Sequence, residues 1–170
     1  MAGLPALNRL TAAAARHKLL ACCGSERWAQ AMLNLRPFAD EADLAAVARR
    51  VWEGLAPADW LEAFSHHPRI GGKDALRAKF AATRGWAQGE QAGAAAASED
   101  VLDALARGNA EYEKKFGYIF IVCATGKSAA EMLSILESRL PNEPHKELKI
   151  AAAEQAKITE IRLRKLLAEL

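Results

Sequence analysis

A pair of histidines followed by a proline is the clearest candidate for chemistry in this sequence. His66 and His67 precede Pro68, and a proline disfavours the helical conformation for the residue before it. Gly71 and Gly72 follow, where the backbone can turn sharply. We therefore expect His67 to lie outside a helix, where its imidazole, which titrates near neutral pH, could transfer a proton. The alternative is an exposed histidine pair at a helix end.

An arginine in an apolar stripe is the second candidate. Ile158, Arg162 and Leu166 are four residues apart and share one face of the last predicted helix. A guanidinium on such a face must snorkel, form a pair or face a polar cavity. In a cavity it would bind a carboxylate or an oxyanion. Snorkelling near the terminus is the alternative.

The third candidate is the pair Glu90 and Gln91, at the junction between a loop and a long alanine-rich helix. Backbone N–H groups are free at a helix start. A carboxylate beside an amide could bind a ligand with alternating N–H and C=O groups. The alternative is a negative charge that simply favours the start of a helix.

An apolar run at residues 118–124 has the composition of a buried strand. No second strand is predicted to pair with it, so we expect extended or helical backbone there. If the run is extended and buried, its backbone N–H groups would be available to a ligand. Cys123 lies in this run, and we interpret its side chain as a packing residue.

The elements that would position these residues are helices. The chain has 170 residues, 51% of them hydrophobic, and only 6% are aromatic. Much of the apolar content is alanine, which favours helix over sheet. Candidate helix starts follow Ser25, Asp40 and Ser128 and lie at Pro57. We predict an all-α fold, a single-domain bundle of about seven to nine helices spanning residues 1–170.

Composition argues against several classes of partner. The net charge is +2, with both signs mixed along the chain, which indicates no nucleic-acid or membrane partner. No apolar run is long enough to span a bilayer. Cys22, Cys23 and Cys123 have no zinc-ligand spacing, so we predict no metal. An odd number of scattered cysteines indicates reduced thiols in a cytoplasmic protein.

Several short motifs, in order, resemble the OHCU decarboxylases (2-oxo-4-hydroxy-4-carboxy-5-ureidoimidazoline decarboxylases). Each motif is weak alone, but the ordered set is specific, and the resemblance covers nearly the whole chain from Leu7 onward. The motifs are His-Pro-Arg-Ile-Gly at 67–71, Glu-Gln-Ala-Gly at 90–93, the stretch at 109–124, Lys-Ile at 157–158 and Arg-Leu at 162–163.

The resemblance implies an all-α enzyme, often a homodimer, that uses no cofactor. It implies decarboxylation of OHCU to (S)-allantoin, the last step of urate breakdown. It also implies His67 as proton donor, with Glu90 and Arg162 as the other catalytic residues. The implied substrate-binding residues are Pro68, Ala87, Gln88, Gly89, Glu90, Gln91, Phe120, Ile121, Val122, Cys123 and Ala124.

One position departs from the family pattern. The family usually has serine three residues before the glutamate, and this chain has Ala87. We expect one hydrogen bond to the substrate to be missing there or supplied by water. Two other functions remain open: a lyase or hydrolase acting on another ureido compound, and a non-catalytic helical module that binds a partner helix.

Overall fold

The computed structural model describes residues 2–68, 72–83 and 91–170; for residues 79–83 and 91–98 it describes the backbone only. Within these ranges the chain forms nine helices and no strand, which confirms the predicted all-α fold. The helices are α1 (Gly3–Arg9), α2 (Ala12–Cys22), α3 (Glu26–Asn34), α4 (Glu41–Glu53), α5 (Pro57–Ser65), α6 (Lys73–Thr83), α7 (Gln91–Phe116), α8 (Ala129–Arg139) and α9 (Pro144–Glu169). No helix in the described part of the chain is long and apolar enough to cross a membrane.

Side-chain caps set the starts of several helices. The Ser25 hydroxyl accepts from the backbone N–H three residues on at 3.2 Å, and the Asp40 carboxylate does the same at 2.7 Å. Ser128 accepts from the N–H of Glu131 at 3.1 Å, and the Glu131 carboxylate accepts from the N–H of Ser128 at 3.3 Å. Each cap satisfies an N–H group that the helix leaves unpaired. The predicted starts after these three residues are confirmed.

The chain divides into two compact units. Unit 1 comprises Met1–His67, Ile121–Cys123 and Leu148–Leu170, and unit 2 comprises Pro68–Phe120 and Ala124–Glu147. Unit 1 therefore holds α1 to α5 and most of α9, whereas unit 2 holds α6 to α8 and the first residues of α9. The assignment of residues 1–170 to a single domain stays a prediction.

Buried tryptophans form hydrogen bonds between the helices of unit 1. The Trp28 indole N–H donates to the Ala48 carbonyl at 3.1 Å, and that of Trp52 donates to the Ala152 carbonyl at 2.8 Å. A buried indole needs such an acceptor, because an unpaired N–H away from water is costly. The second bond joins α4 to α9, so it helps to fix the helix that carries Arg162.

Unit 2 is organised around α7. Gly108 allows close approach of α8, since a Cβ there would lie 2.5 Å from the Leu136 Cδ2. On the other side, Lys73 and Arg77 of α6 form ion pairs with Glu99 of α7 at 2.7 and 2.5 Å. These charged groups are exposed, so water and salt screen them. These ion pairs therefore contribute little to the stability of unit 2.

A buried polar group, which we call the Glu147 cluster, lies where α7, α8 and the start of α9 meet in unit 2. It consists of Tyr112, Arg139, Asn142 and Glu147, and the Glu147 side chain is fully buried. The Arg139 Nε donates to Glu147 Oε2 at 2.9 Å, and the Asn142 amide donates to Oε1 at 3.1 Å. The Tyr112 hydroxyl also donates to this carboxylate. Both oxygens of the buried carboxylate are thus satisfied, as burial of a charge requires.

Candidate active site

His67 lies one residue beyond the end cap of α5, outside the helix as expected. Its backbone N–H still bonds to the Phe64 carbonyl at 3.2 Å, which continues the turn. The imidazole is half-buried, and its Nε2 is hydrogen-bonded to Oε1 of Gln155 on α9. The ring therefore has a fixed position against α9 within unit 1.

His66 has a packing role beside it. A Cβ on Gly24 would lie 2.6 Å from both Cβ and Cγ of His66. Cβ is attached directly to the backbone and cannot swing away, so only glycine permits this close approach. Gly24 therefore allows the end of α5 to pack against the junction of α2 and α3. This packing helps to position His67.

The face of α9 behind His67 is polar and buried. Gln155 is fully buried, and its Nε2 donates to Thr159 Oγ1 at 3.1 Å. The Thr159 hydroxyl also lowers the pKa of the Cys23 thiol, although burial outweighs that effect. A hydrogen-bonded chain thus runs from His67 through Gln155 to Thr159.

Arg162 lies on the same face of α9, seven residues beyond Gln155. At 1.5 Å per residue this places it about 10 Å further along the helix axis. It is half-buried, and its positive charge lowers the pKa of the Cys22 and Cys23 thiols, although burial outweighs that effect. Within the described ranges its guanidinium has no hydrogen-bond or ion-pair partner. The Arg162 guanidinium could therefore bind an anionic ligand.

The segment at 119–124 is neither helix nor strand, which excludes the helical one of the two expected conformations, and Ile121 and Cys123 are buried in unit 1. The backbone N–H of Cys123 donates to Glu154 Oε1 at 3.2 Å. Glu154 also pairs with Lys157 one turn further along α9. The segment is thus held on α9, and one of its predicted ligand-binding N–H groups is engaged within the protein.

The remaining predicted site residues belong to unit 2. Ala87, Gln88, Gly89 and Glu90 lie outside the described residues, and Gln91 is described only as the first backbone position of α7. The other three predicted residues outside unit 1 are Pro68, which is exposed, and Phe120 and Ala124, which are half-buried. That these residues join His67 and Arg162 in one site stays a prediction. The described part of the chain contains no group of three or more His, Cys, Asp or Glu side chains suited to a metal ion.

Three contributors to the site were not assigned a role from the sequence: Glu154, Gln155 and Thr159. Gln155, Thr159 and Arg162 follow a spacing of four and then three residues, which puts them on one helical face. The sequence signal that could have identified them is the presence of polar residues on the helix face that carries the apolar stripe. Their partners, His67 and Cys123, are distant in sequence, so the contacts themselves were not predictable.

The thiols beside this face are buried and unreactive. Cys22, Cys23 and Cys123 are all free cysteines. Burial raises the pKa of Cys22 and of Cys23 from 9.0 to about 11. A nucleophilic cysteine needs the opposite shift, because the thiolate is the reactive form. Cys22 and Cys23 are therefore packing residues.

These two thiols should make the protein lose stability at alkaline pH. The folded state keeps both thiols protonated while the unfolded state ionises, so the free energy of unfolding falls as pH rises from about 9 to about 11. The stabilisation is complete below about pH 9, and each thiol accounts for about 3 kcal/mol of the loss. Urea unfolding across this range measures it. The double variant Cys22→Ala/Cys23→Ala should show a shallower decline; an equally steep one would contradict the assignment.

The fold and these contacts define a class of protein. It is an all-helical protein that presents, along one helix face, a histidine imidazole and a guanidinium with no partner among the described residues, an arrangement suited to acid–base chemistry on an anionic substrate. The model of the OHCU decarboxylase family matches residues 8–164. The chain therefore belongs to the OHCU decarboxylase family, as the sequence motifs predicted.

Curated relatives agree with this assignment. The chain is 41% identical over 149 residues to the "Uric acid degradation bifunctional protein TTL" of Arabidopsis thaliana, a match that covers 87% of this chain and 46% of that protein. The chain thus spans about half the length of that bifunctional relative. It is 35% identical over 137 residues to the 2-oxo-4-hydroxy-4-carboxy-5-ureidoimidazoline decarboxylase of Amia calva, with 79% and 77% coverage. The predictions of a decarboxylase and of urate degradation are confirmed for the family.

Solved structures share the fold. A crystal structure of OHCU decarboxylase in the presence of (S)-allantoin superposes with a TM-score of 0.70 and 39% identity, covering 89% of this chain and 97% of that one. A crystal structure of (S)-allantoin synthase gives a TM-score of 0.69 at 18% identity, covering 96% of this chain and 53% of that one. At that identity the second likeness concerns the fold alone.

Proposed function

We propose that this chain decarboxylates OHCU to (S)-allantoin without a cofactor, with His67, Arg162 and Glu90 as catalytic residues. Membership of the OHCU decarboxylase family supports the reaction. The observation that carries the assignment of residues is the hydrogen bond from His67 to Gln155, because it seats the imidazole on the α9 face that also bears Arg162. His67 follows the end of α5 and Arg162 belongs to α9, so the two side chains are far apart in sequence.

The reaction needs an electron sink and a proton. The bond from the ring carbon to the carboxylate breaks, CO2 leaves, and the electron pair passes into the ring carbonyl as an enolate-like oxyanion. A proton then adds to the neighbouring ring carbon that bears the ureido group, and the hydroxyl left on the decarboxylated carbon gives up its proton to become the new carbonyl of allantoin. Fixed donors placed where the negative charge develops are usually the largest catalytic contribution. Arg162 supplies such a charge, and the His67 imidazole supplies the proton to one face, which sets the (S) configuration.

The other predicted residues bind and orient the substrate. Glu90 and Gln91 hold the ureido arm, and the Ala87 position lacks the hydroxyl that a serine would offer. Of the backbone N–H groups at 120–124, that of Cys123 already donates to Glu154. The substrate therefore uses its neighbours in the segment, with Cys123 anchoring the backbone that presents them.

The test is the stereochemistry of the product. Freshly generated OHCU is added to the purified chain, and formation of allantoin is followed by circular dichroism. We expect a rapid rise of the (S) signal, whereas the uncatalysed reaction has no chiral group to select a face. A panel of other ureido compounds serves as the comparison. Formation of racemic allantoin at the uncatalysed rate would refute the proposed function.

Replacing Arg162 by lysine should impair the enzyme strongly, although the positive charge is kept. A guanidinium binds an anion with two parallel N–H groups, which an ammonium cannot reproduce. We expect kcat/KM to fall by about 10²-fold, in the range of losing one preorganised oxyanion donor. Arg164→Lys is the matched control, because Arg164 is exposed on the same helix and pairs with Glu160. Equal activity of both variants would show that a point charge suffices at position 162.

We also propose that the chain works as a homodimer in the cytoplasm. The family resemblance supports the dimer, and three free cysteines support a reducing compartment. Light scattering during gel filtration should give twice the chain mass of 18.4 kDa. A single-chain mass at micromolar concentration would refute the dimer, and recovery outside the cytoplasmic fraction of the source cell would refute the location.

A further inference from the structure

Two neighbouring residues of α9 bind two different parts of the predicted site. Gln155 is hydrogen-bonded to His67, and Glu154 Oε1 accepts from the backbone N–H of Cys123 at 3.2 Å. All four residues belong to unit 1. Adjacent positions of α9 therefore hold the imidazole and the segment at 121–123, yet the proposed mechanism gives no role to Glu154.

The two oxygens of the Glu154 carboxylate have different partners. The residue is only 9% exposed, and a carboxylate so buried needs polar groups around it. Oε1 accepts from Cys123, whereas Oε2 pairs with the Lys157 ammonium. The Lys157 side chain is 63% exposed, so its positive charge reaches the carboxylate from the solvent side. The carboxylate is thus held between the surface and the backbone of the segment.

The hydrogen bond to Glu154 fixes the orientation of one peptide group. The peptide bond between Val122 and Cys123 is trans, so its C=O points opposite to its N–H. Since the N–H points to Glu154, the Val122 carbonyl points away from it. Val122 is half-buried, and no donor among the described residues meets this carbonyl. The carbonyl is therefore available as an acceptor for a ligand.

We propose that Glu154 is a positioning residue, which turns the Val122 carbonyl toward the substrate so that it accepts a hydrogen bond from a substrate N–H group. The contact with substrate rests on the proposed function, in which the segment at 120–124 binds OHCU. The orientation of the peptide is a property of the free protein. If the peptide turned over, the Cys123 N–H would take the place of the carbonyl, and one N–H group cannot accept from another.

Hydrogen exchange of the Cys123 amide tests the orientation in the free protein. The chain labelled with ¹⁵N-cysteine has three cysteine amides, and the spectrum of Cys123→Ala identifies the signal from position 123. We expect Glu154→Met to exchange this amide about tenfold faster, the effect of one lost hydrogen bond to a charged group. The Cys23 amide, which donates to the Leu19 carbonyl within α2, is the internal control and should keep its exchange rate.

Substitutions at position 154 separate the acceptor from the charge. Glu154→Gln keeps an oxygen within reach of the Cys123 N–H and loses the charge, whereas Glu154→Asp keeps the charge on a side chain one methylene shorter. We expect Glu154→Asp and Glu154→Met to raise KM for OHCU about tenfold with little change in kcat, because the lost contact binds substrate and transition state alike. Glu154→Gln should leave KM within about threefold of the wild type, since a neutral acceptor gives a weaker but intact hydrogen bond.

Lys157→Met is the matched control for the ion pair, because it removes the ammonium and leaves the acceptor in place. Ion pairs with an exposed partner contribute little, so KM should stay within about twofold of the wild type. If Glu154→Gln and Lys157→Met raised KM as much as Glu154→Met, the ion pair would be the important contact and the inference would be overturned. Circular dichroism and the melting temperature establish that each variant is folded, and Glu154→Asp gives the same comparison should Glu154→Met not fold.

The outcomes separate this inference from the proposed function. An unchanged exchange rate of the Cys123 amide in Glu154→Met and Glu154→Asp, or an unchanged KM in both, would overturn the inference while leaving decarboxylation intact. Conversely, a chain that does not decarboxylate OHCU but shows the faster exchange in these variants would refute the proposed function and the substrate contact, while the orientation of the peptide would stand.

Discussion

Replacing His67 by alanine is expected to lower kcat for OHCU decarboxylation by ~10²–10⁴-fold, the usual contribution of a general acid. We propose that the imidazole delivers the proton. Its position is set by the hydrogen bond to Gln155 of α9. KM should change less than kcat, because the lost interaction belongs to the transition state. Steady-state assays with freshly generated substrate measure both.

The neighbouring histidine provides the control for this experiment. His66→Ala keeps the Cβ that packs against Gly24 and removes an exposed ring. We expect its kcat to stay within about twofold of the wild type, since exposed positions away from the chemistry are usually neutral. A His67→Ala variant that turns over saturating substrate at the wild-type rate would remove His67 from the mechanism.

The second large effect is expected for stability. Glu147→Gln should lower the free energy of unfolding by about 3–5 kcal/mol, because it removes the buried carboxylate charge that pairs with the Arg139 guanidinium. Arg139 is only 5% exposed and its Nη2 lies 2.5 Å from the Glu147 carboxylate, so solvent cannot replace the lost partner. Urea unfolding followed by circular dichroism gives the measurement.

Two further variants sharpen this prediction. Glu143→Gln removes an exposed carboxylate four residues away and should change stability by less than about 0.5 kcal/mol. The double variant Arg139→Met/Glu147→Leu removes both buried charges and should recover much of the loss, as apolar replacements of buried pairs do. If the Glu147→Gln and Glu143→Gln variants had the same free energy of unfolding, the Glu147 cluster would not stabilise unit 2.

Local signals in the sequence predicted much of the fold. Ser25, Asp40 and Ser128 each cap a helix through contacts three residues away, and such contacts are visible in a linear pattern. That the segment at 119–124 forms no strand was predictable, because no second strand could pair with it. In the same way, the place of His67 outside a helix followed from the proline beside it.

Contacts between distant residues were not predictable. Gln155 and Arg162 share a stripe that the spacing showed, but the partner of Gln155 is 88 residues away in sequence. The Glu147 cluster joins residues separated by up to 35 positions, and no periodic pattern links them.

The uneven distribution of the cysteines has a practical consequence. All three thiols of the chain belong to unit 1, and unit 2 contains none. Since the folded state buries each of them, pulsed alkylation followed by mass spectrometry would count only those molecules in which unit 1 has opened. The wild-type chain thus carries its own site-selective reporter of sub-global unfolding, and a bound ligand that closes unit 1 would slow the labelling in proportion to its occupancy.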